Sequence, residues 1–343
     1  MMKTVMRGLG FLLLAVCVLA VAGWSALAID IAGPSLSWLR RGLAAVPVMV
    51  AIAAVIALFL PRWRWRFLLA CVVLFGVMLG WWSTVQPSNA RQWQPDVAVL
   101  PSATIDGDLV TVHNVRNFAY RSEFDYTPAF YDKTYDVREL RAVDVVAVYW
   151  MGPAIAHVFL SFQFGENDHL AISIETRKEV GESYSTINGF FRQYELYYVV
   201  ADERDAIGLR TNYRENPPED VYVYRSAGNL DDGRRLFLEY IRRINQLKEA
   251  PEFYNTLTTN CTTSIWMNSW VNARHLTFDW KILVSGYVPE LLYESGRLEA
   301  GDLDFAEVQR RAHVNARARA ADGAPDFSRR IRYFDEIPGM KSP

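Results

Sequence analysis

The stretch of this sequence best suited to chemistry is FYNTLTTNCTTSIW, residues 253–266, which carries a single cysteine. Asn260 is a preferred residue for capping a helix, and apolar residues follow at helical spacing, so we expect Cys261 in the first turn of a helix. A helix N-terminus lowers the pKa of a cysteine, and its free N–H groups can bind the oxyanion formed on an attacked carbonyl. Cys261 is therefore a candidate nucleophile, although free cysteine is also among the most frequently buried residues.

A base for this thiol is offered by a predicted β-hairpin, AHVFLSFQFGENDHLAISIETRKE, in which two alternating runs flank a Gly-Glu-Asn-Asp turn. His157 lies on its polar face, and antiparallel pairing brings Glu175 or Arg177 opposite to it. We expect His157 to activate Cys261 and Glu175 to orient His157, because an activated nucleophile needs a base held by a third group. A lone strand histidine is also often structural, so that alternative stays open. His169 follows the turn and is expected to be solvated.

Other chemistries have little support in the sequence. Of the remaining histidines, His113, His275 and His313 have no obvious companions, and there is no zinc-binding spacing, phosphate-binding glycine loop or Gly-x-Ser-x-Gly elbow. We therefore expect no metal and no cofactor. Three arginines could contact a substrate but are better interpreted as salt-bridge residues: Arg116, Arg177 and Arg210. A net charge of −2 gives no argument for nucleic-acid binding.

The N-terminal part of the chain is expected to cross a membrane three times. Its long apolar runs are Leu9 to Ile29, Leu43 to Leu60 and Phe67 to Trp82, each near the length that spans a bilayer. Cations precede the first run and separate the second from the third, which predicts a cytoplasmic N-terminus and an exported C-terminal domain. The first run ends in SALA and could instead be a cleaved signal peptide.

Export changes the interpretation of the three cysteines. Cys17 and Cys71 lie in predicted spans, so Cys261 has no partner in a compartment where disulfides form. Such a thiol is either deeply buried or kept for its reactivity. The expected organisation is a membrane region at 1–82, a juxtamembrane linker at 83–100 and an α+β domain with an antiparallel sheet at 101–343.

Several motifs of the exported part resemble the bacterial Lnb N-terminal periplasmic domain family: VRNFAYRSEFDYTPAFYDKTYDV, AHVFLSFQF, ISIETRKE, RQYELYYVVADERD and PEFYNTLTTNCTTSIW. The resemblance implies a lipoprotein N-acyltransferase that uses a thiol and a histidine, and these roles fall on Cys261 and His157. The order of histidine before cysteine also resembles the permuted papain-like fold of the NlpC/P60 superfamily. The resemblance to the Lnb family implies a bacterial inner-membrane protein with a periplasmic domain.

The resulting hypothesis is a membrane-anchored acyltransferase that moves an acyl chain from a phospholipid, through a Cys261 thioester, to the N-terminal amine of a lyso-form lipoprotein. One alternative is a cysteine hydrolase acting on cell-wall peptide or on lipid esters and thioesters. Another is a membrane-tethered binding domain with no catalytic role. The sequence leaves the oligomeric state open.

Overall fold

The computed structural model describes residues 2–332, which fall into two compact units. The first unit contains residues 2–88 together with 185–193. Its helices are α1 (Met2–Ala32), α2 (Ser37–Ala57) and α3 (Arg64–Thr84). All three are long and apolar enough to cross a membrane, with Val5–Ala32 as the candidate span within α1. The three expected apolar helices are thus confirmed.

A short segment from later in the chain, residues 185–193, belongs to this helical unit. Phe191 is buried in a cluster that includes Ala28 of α1. The Arg192 guanidinium donates a hydrogen bond of 2.6 Å to the carbonyl of Trp82 and lies 4.6 Å from the centre of that residue's ring. Apolar packing and a cation–π contact therefore integrate this segment into the first unit.

The second unit contains residues 89–184 and 194–332 and is built on an eight-stranded sheet. The strands of the unit are β1 (Ser102–Asp106), β2 (Leu109–Arg116), β3 (Ala119–Tyr120), β4 (Tyr126–Thr127), β5 (Phe130–Asp136), β6 (Ala142–Tyr149), β7 (Ala156–Gln163), β8 (His169–Arg177), β9 (Glu195–Asp202) and β10 (Asp220–Arg225). The order across the sheet is β1-β2-β9-β8-β7-β6-β10, with β5 also paired to β2, while β3 and β4 form a separate ribbon.

The sheet is mixed. Within residues 2–332, its strands pair antiparallel except for β2 and β9, which meet in parallel at Arg116 and Ala201. The α+β class is confirmed, and the parallel contact departs from the antiparallel sheet expected. A parallel pair needs a long crossover, and here about eighty residues, which include the strands β3 to β8, lie between β2 and β9.

Helices follow mainly after the strands: α4 (Glu203–Ala206), a π-helical turn (Leu209–Tyr213), α5 (Leu230–Glu249), α6 (Cys261–Asn268), α7 (Trp280–Leu283), α8 (Val288–Glu294), α9 (Phe305–Ala312), α10 (Asn315–Ala320) and α11 (Phe327–Arg330). Alternation along the strands gives the sheet two apolar faces. Leu160 belongs to the face that packs against Phe237 of α5, and Phe159 to the face that packs against Phe327 of α11.

The helix α5 shows how its sequence produces this packing. Asn229 caps it by accepting a hydrogen bond from the N–H of Asp231, and Pro251 follows its end. Phe237 and Ile241 lie on its buried stripe at helical spacing. Each such buried apolar side chain contributes about 1.5–3 kcal/mol of transfer free energy. The sheet is thereby held in the position from which it presents His157 and Glu175.

Candidate active site

Cys261 is the first residue of α6, as the sequence predicts, and the turn before it is held by a reciprocal cap. The Asn260 side chain accepts a hydrogen bond of 2.9 Å from the N–H of Thr263, and the Thr263 hydroxyl accepts one of 3.0 Å from the N–H of Asn260. The next residue, Thr262, donates its hydroxyl hydrogen bond to the carbonyl of Ile282 at 2.6 Å. The backbone at the thiol is therefore fixed on both sides.

The thiol meets the sheet where β7 and β8 stop pairing. The register between these strands ends at Leu160 and Ile172, although β7 begins four residues earlier, at Ala156. In this part of β7, which pairs with β6 but not with β8, the N–H of Val158 hydrogen-bonds the Cys261 thiol. Helix α6 packs against both strands. The separated strand ends thus provide the space that the cysteine occupies.

His157 is hydrogen-bonded to the thiol and is held from its other side by Ser173 and Glu175. Its Nε2 lies 2.6 Å from the Ser173 hydroxyl oxygen and 3.0 Å from Oε1 of Glu175. The Ser173 hydroxyl donates to the same Oε1 at 2.8 Å, so it accepts from Nε2–H. The proton on Nε2 is therefore directed at the carboxylate side, which leaves Nδ1 for the thiol.

Arg210 completes the arrangement. Its Nη2 donates a hydrogen bond of 2.8 Å to Oε1 of Glu175, and its Nη1 lies 3.4 Å from Oε2 of Glu219. The same oxygen of Glu175 therefore receives donors from three side chains, including His157 and Ser173. A carboxylate with this many donors is strongly favoured in its charged form.

The electrostatics favour a thiolate beside an imidazolium. Burial opposes protonation of His157, but the charge of Glu175 and the hydrogen bonds with Cys261 and Glu175 together outweigh it and raise the pKa of His157 to about 9. Burial also opposes ionisation of Cys261, but the hydrogen bond and charge of His157, with the N–H of Val158, lower the pKa of the thiol. The pKa of Glu175 is held well below its usual range, against burial, by His157 and Arg210.

The site remains open at the carboxylate. The side chain of Glu175 is 27% exposed, whereas that of His157 is 11% exposed and Cys261 as a residue is 9% exposed.

Beside the thiol, Tyr254 is buried and hydrogen-bonded to Tyr184. Burial together with the negative charge of Cys261 raises the pKa of Tyr254. A neutral phenol therefore lies close to the thiolate.

The structure brings together Cys261, His157 and Glu175, and Glu175 rather than Arg177 is the residue at His157. Arg177 instead donates to the carbonyls of Val97 and Ala98 as part of the scaffold. Sequence reasoning missed Ser173, and it predicted Arg210 as a salt-bridge residue without identifying Glu175 as its partner. Strand alternation places Ser173 on the same face of β8 as Glu175, so the sequence did contain a signal for Ser173. Arg210 lies in the π-helical turn, which no periodicity in the sequence predicts.

The expectation that His169 is solvated is wrong. His169 is the first residue of β8, only 4% exposed, and neither ring nitrogen has a hydrogen-bond partner. Burial and the charge of Arg332 lower the pKa of His169 to about 4. The strand starts immediately after the turn, so this residue faces the interior.

Within residues 2–332, no group of three or more His, Cys, Asp or Glu side chains is arranged to hold a metal.

Comparison with known families gives a match over the part of the chain that contains this site. Residues 126–286 match the family described as the Lnb N-terminal periplasmic domain. The matched segment contains His157, Glu175 and Cys261. The Lnb domain and the three apolar helices together describe a membrane-anchored protein with a periplasmic domain. No curated protein and no solved structure matches the chain.

Proposed function

We propose that this protein is a cysteine-dependent acyltransferase of the bacterial inner membrane, with a cytoplasmic N-terminus and its Lnb domain in the periplasm. It would move an acyl chain from a phospholipid to the N-terminal amine of a lyso-form lipoprotein. The observation that carries the proposal is the hydrogen-bonded pair of Cys261 and His157, with Glu175 behind the imidazole. A histidine on a strand facing a cysteine at a helix start also supports a permuted papain-like arrangement.

The first half of the reaction forms a thioester. The Cys261 thiolate attacks the ester carbonyl of the phospholipid, and the carbon–sulfur bond forms as the carbonyl π electrons move to oxygen. Collapse of this intermediate breaks the ester carbon–oxygen bond. The imidazolium of His157 gives its thiol-facing proton to the departing alkoxide, so a lysophospholipid leaves and His157 becomes neutral.

The second half transfers the acyl group to nitrogen. The neutral amine of the acceptor attacks the thioester carbonyl, and His157 takes a proton from the attacking nitrogen. The carbon–sulfur bond then breaks, which releases an amide and restores the thiolate beside the imidazolium. Glu175 stabilises the positive charge on His157 in both halves without itself gaining the proton.

The negative oxygen of each tetrahedral intermediate needs nearby donors. The first N–H groups of a helix have no partners within the helix, and Cys261 is the first residue of α6. The N–H of Thr263 is taken by the Asn260 cap. The backbone N–H of Cys261 is therefore the candidate donor to the oxyanion, and it is carried by the nucleophile itself.

The proposal is tested with full-length protein in membranes that contain lyso-form lipoproteins. We expect Cys261→Ser to abolish N-terminal acylation and to remove a mass adduct equal to one acyl chain from the protein. Cys71→Ser, in α3, is the matched control and should retain both signals. Undiminished acylation by Cys261→Ser would refute the thioester route. Release of free fatty acid without any acylated amine would instead favour the hydrolase alternative.

A further inference from the structure

An apolar cavity of about 150 Å³ lies between the sheet and the helices that follow Cys261. The sheet contributes Val145 and Leu160, and the helices contribute Ile265, Trp266 and Leu292. These residues come from β6 and β7 on one side and from α6 and α8 on the other. The mechanism described above uses none of their side chains.

The cavity begins beside the thiol. Val158 donates its N–H to Cys261 while its side chain forms part of the cavity wall. Thr262, the residue after the nucleophile, also lines the cavity. Val158 and Thr262 therefore belong both to the backbone around the thiol and to the wall of the cavity.

The outer wall leads to an exposed aromatic surface. Trp266 lines the cavity and makes edge-to-face contacts with Trp270 at 4.8 Å and with Phe278 at 5.4 Å between ring centres. Trp270 is 51% exposed and Phe278 is 55% exposed. Aromatic side chains of this kind are suited to the boundary between water and lipid. An apolar path thus runs from the surface, past Trp266, to the cavity.

We propose that this cavity holds the acyl chain that the donor phospholipid passes to Cys261. The inference rests on the proposed function for the identity of the chain, but it adds a binding site with its own dimensions. A dry apolar cavity of about 150 Å³ holds a molecule of roughly six carbons, the size of benzene. The carbons nearest the carbonyl occupy the cavity, and the rest of a longer chain extends past Trp266 towards the exposed aromatic rings.

The size is tested with p-nitrophenyl esters from acetyl to hexanoyl and full-length protein in detergent, with adduct formation on Cys261 followed by mass spectrometry. Burying one methylene favours binding by about fourfold, so the acylation rate should rise by roughly that factor per carbon. Leu292→Trp fills the cavity and should flatten this series. Glu294→Trp, on the exposed side of the same helix, is the matched control. An equally steep series in Leu292→Trp would overturn the inference.

Binding is measured separately from chemistry in a Cys261→Ser background. Vesicles are prepared with a phospholipid that carries a diazirine at carbon six of an acyl chain. We expect light to label residues of the cavity wall, with less labelling in Leu292→Trp and no change in Glu294→Trp. Labelling confined to α1, α2 and α3 would reject the cavity even if acyl transfer stands. Cavity labelling combined with an unreactive Cys261 would instead retain the binding site and reject the proposed function.

Discussion

Removing the charge of Glu175 should disrupt the ion pair at the site while preserving its shape. Glu175→Gln keeps the side chain nearly isosteric but removes the main cause that raises the pKa of His157 to about 9. The ordinary histidine pKa is about 6.5, so the difference corresponds to about 3 kcal/mol of preference for the imidazolium. Burial and Arg210 both oppose protonation and remain in the variant. The pKa of His157 should therefore fall to about 6.5 or below.

The change in His157 should be transmitted to Cys261. An imidazolium lowers the pKa of the thiol, whereas the carboxylate of Glu175 acts directly on the thiol in the opposite direction. The hydrogen bond and charge of His157 are the larger influences, so the pKa of Cys261 should rise in Glu175→Gln. One pH unit above a pKa of about 6.5, only about a tenth of His157 is protonated, compared with nearly all of it in the wild type. The thiolate population near pH 7.5 should fall as this imidazolium is lost.

The assay is alkylation of Cys261 by iodoacetamide across the pH range, with peptide-resolved mass spectrometry to separate it from Cys17 and Cys71. The wild type should react well below the ordinary thiol pKa, and Glu175→Gln should require more alkaline pH. Asp168→Asn removes a carboxylate at the far end of the same hairpin, where it pairs with Lys133, and should not shift the profile. Identical profiles for the wild type and Glu175→Gln would refute the electrostatic reasoning.

Three further perturbations test the cap, the charge network and the buried histidine. Asn260→Ala should lower the free energy of unfolding by about 1 kcal/mol in urea titrations and slow alkylation of Cys261, while Asn260→Asp should retain the cap; equal loss in both would contradict the capping role. Arg210→Gln should raise the pKa of His157, because Arg210 opposes protonation. The midpoint pH at which the NMR chemical shifts of the His157 ring protons titrate should therefore increase, and a decrease would contradict this. His169 has a folded pKa of about 4, below its ordinary 6.5, so the unfolded chain binds the extra proton and stability falls as pH drops from 6.5 towards 4. His169→Gln should remove about 2–3 kcal/mol of the stability difference between pH 7.5 and 4.5 in urea titrations, and an unchanged difference would show that other groups cause it.

Local patterns in the sequence were enough to predict the parts of the site that depend on one segment. Asn260 before an apolar run predicts a capped helix, and that helix begins at Cys261. Alternation around a short turn predicts the β7–β8 hairpin and the polar face shared by His157 and Glu175. These features were predictable because helix capping and strand pairing are decided by residues within a few positions of one another.

The contacts that give the site its electrostatics depend on segments far apart in the chain. Arg210 reaches Glu175 from a π-helical turn, and His169 is buried where a local reading of the turn suggests exposure. The apolar cavity likewise requires β6, β7, α6 and α8 to assemble. No periodicity encodes which distant side chains fill a given space, because that choice is made by packing of the whole sheet against its helices.

The sequence by itself determined the three apolar helices, the α+β class, the helix start at Cys261 and the pairing of His157 with a carboxylate on the next strand. The tertiary structure alone decided that β7 and β8 separate at His157, that Val158 turns its N–H to the thiol, and that Ser173 and Arg210 converge on Glu175. The physical reason is the separation along the chain over which each interaction acts. Capping, alternation and hydrophobic length act along the chain, whereas the proton affinities of a buried cysteine and histidine depend on every charge and donor that folding brings within a few ångströms.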